Sequence, residues 1–184
     1  MTIWTIGHST RTLSEFLDAL HSQRIEALAD VRKLPGSRRF PQFDQEQLDS
    51  ALTSEGFLYA HFPELGGRRK ATADSHNTAW RHAAFRAYAD YMETAEFERA
   101  MAGLIALAKD KRTAVMCAEA VWWRCHRSLI ADWLKVRGWE VLHIFDARKT
   151  QEHPYTGAAR LVEGTLSYDP AFGAPARPVA SSWK

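Results

Sequence analysis

The chain has 184 residues, the size of one compact domain that buries enough surface to fold without a metal or a disulfide. Its composition, 46% hydrophobic and 25% charged, excludes a disordered or fibrous protein. A formal net charge of +2 excludes a general nucleic-acid coat protein, so any anion-binding site has to be local.

The expected location is the cytoplasm, with no membrane partner. The N-terminus has no basic segment followed by an apolar run, and no stretch approaches the roughly 18 apolar residues that cross a bilayer. The chain has two cysteines, Cys117 and Cys125, which are too few for a secreted disulfide scaffold. Reactivity or metal binding accounts for them better than a structural disulfide does.

Strand and helix patterns alternate along most of the chain. The predicted strands, in chain order, cover residues 2–6, 26–30, 57–61, 113–116 and 139–144. The predicted helices begin with a capping box at Thr12–Glu15, with Asp44 as N-cap, over residues 79–91, with Thr94 as N-cap, and near Leu129. Gly56 and Gly138 are expected to end two of these helices.

This alternation predicts an α/β fold. Short connections favour a mainly parallel sheet of about five strands, flanked by helices on both faces, in a single domain. We assign residues 1–146 to that domain. Residues 147–184 are expected to form a C-terminal arm, packed on the domain or trailing from it, with one edge strand near 161–167. Its prolines indicate irregular structure: Pro154, Pro170, Pro175 and Pro178.

Polar groups follow every predicted strand. They are Gly7-His8-Ser9, Asp30-Val31-Arg32, His61, Cys117-Ala118-Glu119, and His143 with Asp146. Ligands of open parallel sheets bind beyond the carboxyl ends of the strands, so these groups are expected at one edge. Strand ends are polar in any protein because the chain turns there, which is the structural alternative for each residue taken singly.

The segment from Cys117 to Arg127 carries the most chemical information. Cys117 follows a strand, and Cys125 lies where the next helix should begin, so the helix dipole would favour a thiolate or an anion. His126 and Arg127 place cations in a first helical turn, an unfavourable choice that indicates a functional site. In the alternative interpretation Cys117 is a small buried residue and Cys125 packs under the helix.

Two established cysteine chemistries do not match the spacing. The loop from Cys117 to Arg124 is one residue longer than the phosphate loop of cysteine phosphatases, so we do not assign that mechanism. His8, Cys117, Cys125 and His126 would supply metal ligands if the fold gathered them, but their spacing matches no strong zinc pattern. We therefore assign no metal.

Two basic loops follow neighbouring predicted strands. One contains Arg32 with Arg38 and Arg39, and the other contains Gly66-Gly67 followed by Arg68-Arg69-Lys70. They would clamp a phosphate, with the glycines allowing close backbone approach, or they are simply solvated. Four aromatic residues near these loops and in the cysteine segment suit stacking on nucleobases: Phe40, Phe43, Trp122 and Trp123. Core packing is the alternative for the tryptophans.

Several separated motifs resemble those of the domain of unknown function 488 family. They are Thr5–Ser9, Asp30–Arg32 followed by Pro35 and Ser37-Arg38, Tyr59–Arg68 with Leu65-Gly66-Gly67, and Met116–Glu119 followed by Cys125–Arg127. The resemblance covers roughly residues 2–145 and implies a compact α/β fold with a shared polar site, without a reaction. Its matching positions are His8, Asp30, Arg32, Arg68, Cys117, Glu119, Cys125, His126 and Arg127.

The leading hypothesis is an enzyme that acts on an anionic, phosphate-bearing substrate, either a nucleotide or a nucleic acid. Its catalytic residues would be Cys117, Glu119, His126 and Asp30. Its substrate-binding residues would be His8, Ser9, Arg32, Arg68 and Arg127. The alternatives are a nucleic-acid-binding module without catalysis and a metal- or redox-sensing protein that uses both cysteines. The sequence identifies no cofactor.

Overall fold

The computed structural model describes residues 1–36, 38–70 and 72–173. Ser37 of the family motifs, and Pro175 and Pro178 of the predicted arm, lie outside the described residues. No helix in the described part of the chain is long and apolar enough to cross a bilayer.

A six-stranded sheet forms the centre of the described molecule. Its strands are β1 (Thr2–Gly7), β2 (Ala27–Asp30), β3 (Leu58–His61), β4 (Thr113–Cys117), β5 (Glu140–Ile144) and β6 (Thr150–Glu152). Their order in the sheet is β3-β2-β4-β1-β5-β6. All pairings among β1 to β5 are parallel, and β6 joins β5 antiparallel. The predicted α/β fold with a mainly parallel sheet is confirmed.

Helices cover both faces of this sheet. They are α1 (Leu13–Ser22), α2 (Gln45–Ser54), α3 (Ala83–Met92), α4 (Ala95–Asp110) and α5 (Arg127–Val136). The predicted capping box at α1 is present, because the Glu15 amide donates to Thr12 Oγ1 and the Thr12 amide donates to Glu15 Oε2. Thr94 caps α4 as predicted, through a hydrogen bond from the Phe97 amide.

Helix α3 begins later than its sequence indicates. The predicted helix starts at residue 79, whereas the observed one starts at Ala83, after the N-cap His82. The preceding turn is held by tertiary contacts instead: the Ala79 amide donates to the Tyr168 carbonyl, and the Trp80 ring packs against the Tyr168 ring. These contacts with a distant segment outweigh local helix propensity.

The sheet separates two apolar layers. Helices α1 and α2 cover one face with fully buried side chains such as Phe16, Leu48 and Leu52. Helices α4 and α5 cover the other face with side chains such as Phe97 and Leu129. All five residues of β4 are buried, as expected for a central parallel strand covered on both faces.

The C-terminal segment contains a hairpin of its own. Strands β7 (Arg160–Val162) and β8 (Thr165–Ser167) pair only with each other among the described residues. The prediction of one edge strand near 161–167 is therefore wrong, because the two-residue turn Glu163-Gly164, with φ of 49° and 79°, folds this stretch back on itself. The domain boundary at residue 146 stays a prediction.

Candidate functional site

The strand exits lie level at one edge of the sheet. Gly7 pairs in register with Cys117, and Asp30 pairs with both Met116 and His61. Beyond the ladder, the His8 amide donates to the Cys117 carbonyl at 3.0 Å. The carboxyl ends of four strands thus meet beside the cysteine segment, where ligands of parallel sheets bind.

The cysteine segment is held in place from below by Gly7 and Arg127. A Cβ atom on Gly7 would lie 1.8 Å from the Glu119 carbonyl oxygen, so only glycine permits this approach. Arg127 is buried and donates to that same carbonyl at 2.6 Å and to Thr5 Oγ1 at 3.2 Å. Arg127 was predicted to bind substrate, but in the structure it holds the cysteine segment in place through the Glu119 carbonyl.

Cys117 and Cys125 form a close thiol pair. Cys117 ends β4, and Cys125 follows the short 3-10 helix Trp122–Arg124, just before α5. Their Sγ atoms are 3.1 Å apart, and both residues are buried. His126 Nδ1 lies 3.6 Å from Cys125 Sγ and 4.0 Å from Cys117 Sγ. The positive end of the α5 dipole falls on the same group.

The two thiols have opposite acidities. The hydrogen bond with Cys125 and burial raise the pKa of Cys117 well above its ordinary value. Burial also opposes ionisation of Cys125, but the Cys117 hydrogen bond and the charges of His126 and Arg127 outweigh it and hold the pKa of Cys125 well below its ordinary value. Ionisation of the pair is therefore favoured at Cys125 over Cys117.

The ligand atoms of Cys117, Cys125 and His126 all lie within 4.8 Å of one another, a grouping able to surround a metal ion. Their spacing fits such an ion poorly. Two thiolates at the usual ~2.3 Å from a tetrahedral zinc are about 3.8 Å apart, whereas these sulfur atoms are 3.1 Å apart. His8, the fourth predicted ligand, is not in the group, since its Nδ1 contacts the Ser9 carbonyl.

A pocket of about 580 Å³ opens over the thiol pair, and we call it the cysteine pocket. The charged residues that line it are mostly cationic, namely Arg32, Lys33, Arg68 and Arg124. Glu119 is the single carboxylate among the described lining residues. Lys33, Arg68 and Arg124 are exposed and form no ion pair with any residue in the described ranges. This wall therefore attracts anions.

Asp30 and Arg32 form a buried ion pair at the edge of the pocket. Arg32 Nη2 donates to Asp30 Oδ2 at 2.6 Å, and the Tyr59 hydroxyl donates to the same oxygen at 2.8 Å. Burial and the Asp30 charge raise the pKa of Tyr59 well above its ordinary value. Asp30 is fully buried and does not line the pocket, whereas Arg32 does.

His8 and Ser9 also lie behind the pocket. The His8 ring stacks on Phe43, with centroids 4.3 Å apart, and its Nε2 is 3.4 Å from Arg32 Nη1. Burial and the Arg32 charge lower the pKa of His8 to about 4, so the ring is neutral at pH 7. Neither His8 nor Ser9 is among the lining residues, although both were expected to bind substrate.

The two basic loops contribute unequally. Of the basic residues in the described parts of these loops, Arg32 and Lys33 from the first and Arg68 from the second line the pocket. Arg69 instead lies over the Tyr91 ring, 3.4 Å from its centroid. The glycines of the second loop approach protein groups: a Cβ on Gly66 would lie 2.6 Å from Lys33 Cβ, and one on Gly67 would lie 3.1 Å from His126 Nδ1.

One of the four aromatic candidates lines the pocket. Trp123 is 49% exposed and is part of the lining, together with Phe85 of α3. Trp122 is buried, and its ring stacks on His143 at 4.6 Å. Phe43 is a core residue, and Phe40 is not among the lining residues.

A family model described as Domain of unknown function DUF488 matches residues 12–134 of the 184-residue chain. The chain belongs to this family. The DUF488 match includes Asp30, Arg68 and the cysteine segment, whereas His8 and Ser9 precede it. No curated protein and no solved structure matches the chain significantly. Because the DUF488 description states no reaction, the function has to be argued from the pocket.

Some residues that line the cysteine pocket are absent from the set of site residues predicted from the sequence. Lys33 follows the predicted site residue Arg32, so extending that strand exit by one residue would have included it, whereas Arg124 lies just before Cys125 within the cysteine segment. Phe85 and Tyr88 come from α3, and only the three-dimensional packing brings that helix over the cysteines. The Tyr88 ring tilts against His126 with centroids 5.1 Å apart.

A second polar cluster, which we call the histidine chain, lies wholly inside the protein. It consists of Thr5, His143, His153 and Asp132, linked side chain to side chain at 2.7, 2.9 and 2.9 Å. All four are buried. Burial, together with the nearby charges of His153 and Arg127, holds the pKa of His143 well below its ordinary value.

The histidine chain ends on a fully satisfied carboxylate. Asp132 also accepts hydrogen bonds from the Thr156 amide, the Thr156 hydroxyl and the Tyr168 hydroxyl at 2.6–2.9 Å. Arg127 contacts its other end through Thr5. Within the histidine chain, His143 was expected at the exit of the fifth strand but lies inside β5, and no local pattern points to Asp132 or His153.

Proposed function

We propose that this protein is an enzyme that acts on an anionic, phosphate-bearing substrate in the cysteine pocket, with Cys125 as its nucleophile. The observation that supports this most directly is the combination of a thiol pair with a wall of exposed cations in one pocket. A structural cysteine needs neither an ionised neighbour nor access to a pocket.

The cationic wall serves substrate binding. Lys33, Arg68 and Arg124 converge on the pocket from three different loops, and Glu119 is the carboxylate that opposes them. Arginine side chains bind phosphate oxygens through paired, charge-assisted hydrogen bonds. Arg32 is already bonded to Asp30, so its main contribution is a fixed positive charge at the back of the pocket.

Within the thiol pair, Cys125 rather than Cys117 is the proposed nucleophile. Burial opposes ionisation of Cys125, but the Cys117 hydrogen bond and the neighbouring His126 and Arg127 side chains outweigh it and lower the pKa of Cys125. The Cys125 sulfur forms a bond to the electrophilic atom of the substrate as the bond to the leaving group breaks. The leaving group departs on the side opposite Cys125 and takes a proton from water, and Glu119, which lines the pocket, then accepts a proton from a water molecule whose attack breaks the bond to Cys125.

A nucleotide is the proposed substrate class because of Trp123. Its exposed indole ring stands beside the cations at the pocket, and Phe85 adds a second aromatic surface. Base stacking on such rings contributes about 1–3 kcal/mol per base and tolerates any base. A single-stranded nucleic acid presents the same chemical groups, and its binding would weaken strongly with added salt.

Alkylation of the thiols tests the pocket without a known substrate. The quantity to measure is the ratio of the alkylation rate with anionic iodoacetate to the rate with neutral iodoacetamide. We expect this ratio to be about 10-fold higher for Cys125 than for free cysteine, because the cations of the pocket concentrate anions. Inorganic phosphate should slow the reaction. Arg124→Ala should reduce the preference for iodoacetate, whereas Lys109→Ala, which removes a cation from the end of α4, should leave it unchanged.

Two results would contradict this proposal. The pocket does not bind anions if the ratio of the two alkylation rates is the same for Cys125 and free cysteine and phosphate gives no protection. Modification of Cys117 alone, located by peptide mapping, would remove Cys125 as nucleophile. Turnover is then measured on a panel of nucleoside phosphates by phosphorus NMR. Binding without turnover would overturn the proposal that the protein is an enzyme and would support a nucleic-acid-binding module instead.

A further inference from the structure

The thiol pair has a geometry that anion binding does not require. The two sulfur atoms are 3.1 Å apart, about 1 Å more than the ~2.05 Å bond of a disulfide. Both cysteines are free. A small rotation of the two side chains would therefore join them.

Access to the pair is as important as its spacing. Cys117 and Cys125 are buried but both line the cysteine pocket, so a reagent that enters the pocket lies against both residues. The surrounding groups favour a negative charge on sulfur: His126 Nδ1 lies 3.6 Å from Cys125 Sγ, and α5 directs its N-terminal end at the same residue. Metal ligation accounts for the pair less well, because the sulfurs are closer than two thiolates on one tetrahedral zinc.

We propose that Cys117 and Cys125 form a redox-active dithiol that reduces organic disulfides entering the cysteine pocket and closes to an internal disulfide. Cys125 thiolate attacks one sulfur of the organic disulfide, forming a mixed disulfide and releasing the first thiolate. That thiolate takes the proton of Cys117. The Cys117 sulfur then attacks Cys125 Sγ, and the second thiolate leaves.

This sequence of steps conserves atoms and electrons. Two electrons pass from the two cysteine sulfurs to the organic disulfide, which leaves as two separate thiol groups, one of them carrying the Cys117 proton. The proposal gives the cysteines distinct roles: Cys125 attacks the organic disulfide, and Cys117 closes the internal disulfide. The raised pKa of Cys117 and the lowered pKa of Cys125 support this assignment.

The inference is independent of the proposed phosphate-bearing substrate. A neutral reagent, bis(2-hydroxyethyl) disulfide, reacts with the pair without using the cationic wall. Loss of anion binding therefore leaves this reaction intact, and absence of the reaction leaves anion binding intact. Anion binding and the disulfide reaction therefore fail separately, whereas the choice of Cys125 as the attacking sulfur is common to both proposals.

The test is the reaction of the reduced full-length protein with that neutral disulfide, followed by intact mass spectrometry. We expect the wild type to lose two hydrogen atoms in mass, with no reagent attached. Cys117→Ser should stop at a mixed disulfide on Cys125. Cys125→Ser should react more than about 100-fold more slowly, because Cys117 keeps its proton.

Rapid acid quenching of the wild type identifies the attacking cysteine without any variant. Peptide mapping of the transient mixed disulfide should place the reagent on Cys125. The proposal is overturned by a transient adduct on Cys117, by a wild type that stops at a mixed disulfide or forms only intermolecular dimers, or by a bound metal ion that blocks the reaction until a chelator is added.

Discussion

The cysteine pocket and the histidine chain are two polar clusters built around the same helix, α5, and they are organised in opposite ways. In the histidine chain each side chain is bonded to the next, ending on Asp132, and nothing in it is exposed. In the pocket, Lys33, Arg68 and Arg124 are exposed, and no ion pair joins them to another residue within 1–36, 38–70 and 72–173.

The difference shows how structural and functional polar groups are told apart. A buried polar network stabilises a fold only when each of its members is satisfied internally. A binding site keeps charges whose partner is the ligand. Arg127 joins the two clusters, because it donates to Thr5 on one side and to the Glu119 carbonyl on the other. Mutations should therefore affect stability in one cluster and reactivity in the other.

Asp132→Asn should cause the largest loss of stability, about 3 kcal/mol. The amide keeps one acceptor oxygen and turns its other end, a donor, towards groups that also donate, such as the Tyr168 hydroxyl. Chemical denaturation measures the free energy of unfolding. Glu119→Gln is the control in an exposed position and should change it by less than about 0.5 kcal/mol. Equal losses in both variants would remove the distinction between the clusters.

Gly7→Ala should disturb the junction of the two clusters. Its Cβ would collide with the Glu119 carbonyl oxygen and come within 2.8 Å of Arg127 Nη2, so the cysteine segment must shift. We expect a loss of about 2–3 kcal/mol together with slower alkylation of Cys125. Gly36→Ala is the matched control, since a Cβ there meets nothing within 4 Å. Unchanged alkylation in a destabilised Gly7→Ala protein would contradict this coupling.

Acidification should lower the free energy of unfolding, because two buried histidines are neutral in the folded protein. The pKa of His8 is lowered to about 4 and that of His143 lies well below its ordinary value, so the folded protein binds fewer protons than the unfolded chain. Their contribution is complete above about pH 6.5 and is lost as pH falls towards 4.

The expected loss from His8 is about 2 kcal/mol, since each unit of pKa difference is worth about 1.4 kcal/mol. Denaturation curves of the wild type and His8→Gln, recorded between pH 7 and 4.5, isolate this contribution from that of the carboxylates. The variant should show a flatter dependence, whereas the exposed His21→Gln should follow the wild type. Parallel curves for all three proteins would rule out a neutral buried His8.

Arg68→Ala should have the smallest effect of these variants. We expect it to change anion binding in the cysteine pocket and not the stability of the fold. The Arg68 side chain is exposed and forms no ion pair with the part of the chain that the structure describes, so stability should change by less than about 0.5 kcal/mol. Phosphate protection of Cys125 should need about 10-fold more phosphate, equivalent to about 1.4 kcal/mol. A variant that binds phosphate as well as the wild type would exclude Arg68 from the binding wall.

Much of the fold follows from local patterns. Alternating strand and helix signals, with caps at Thr12 and Thr94, predict five of the six sheet strands and all five helices described. Strand β6 has only three residues and no apolar alternation, so nothing in its sequence marks it. The start of α3 and the β7–β8 hairpin depend on tertiary contacts and on a two-residue turn, which the apolar pattern does not contain.

The sequence by itself determined that the polar strand exits gather at one place, because parallel strands must deliver their exits to one edge and those exits carry Cys117, Asp30 and His8. Only the tertiary structure decided which of these residues line the pocket. Packing against Phe43 and Tyr59 turns His8 and Asp30 inward, while α3 and the loops of Lys33 and Arg68 enclose the thiols. Side-chain direction depends on neighbours that are distant along the chain, and no local pattern records them.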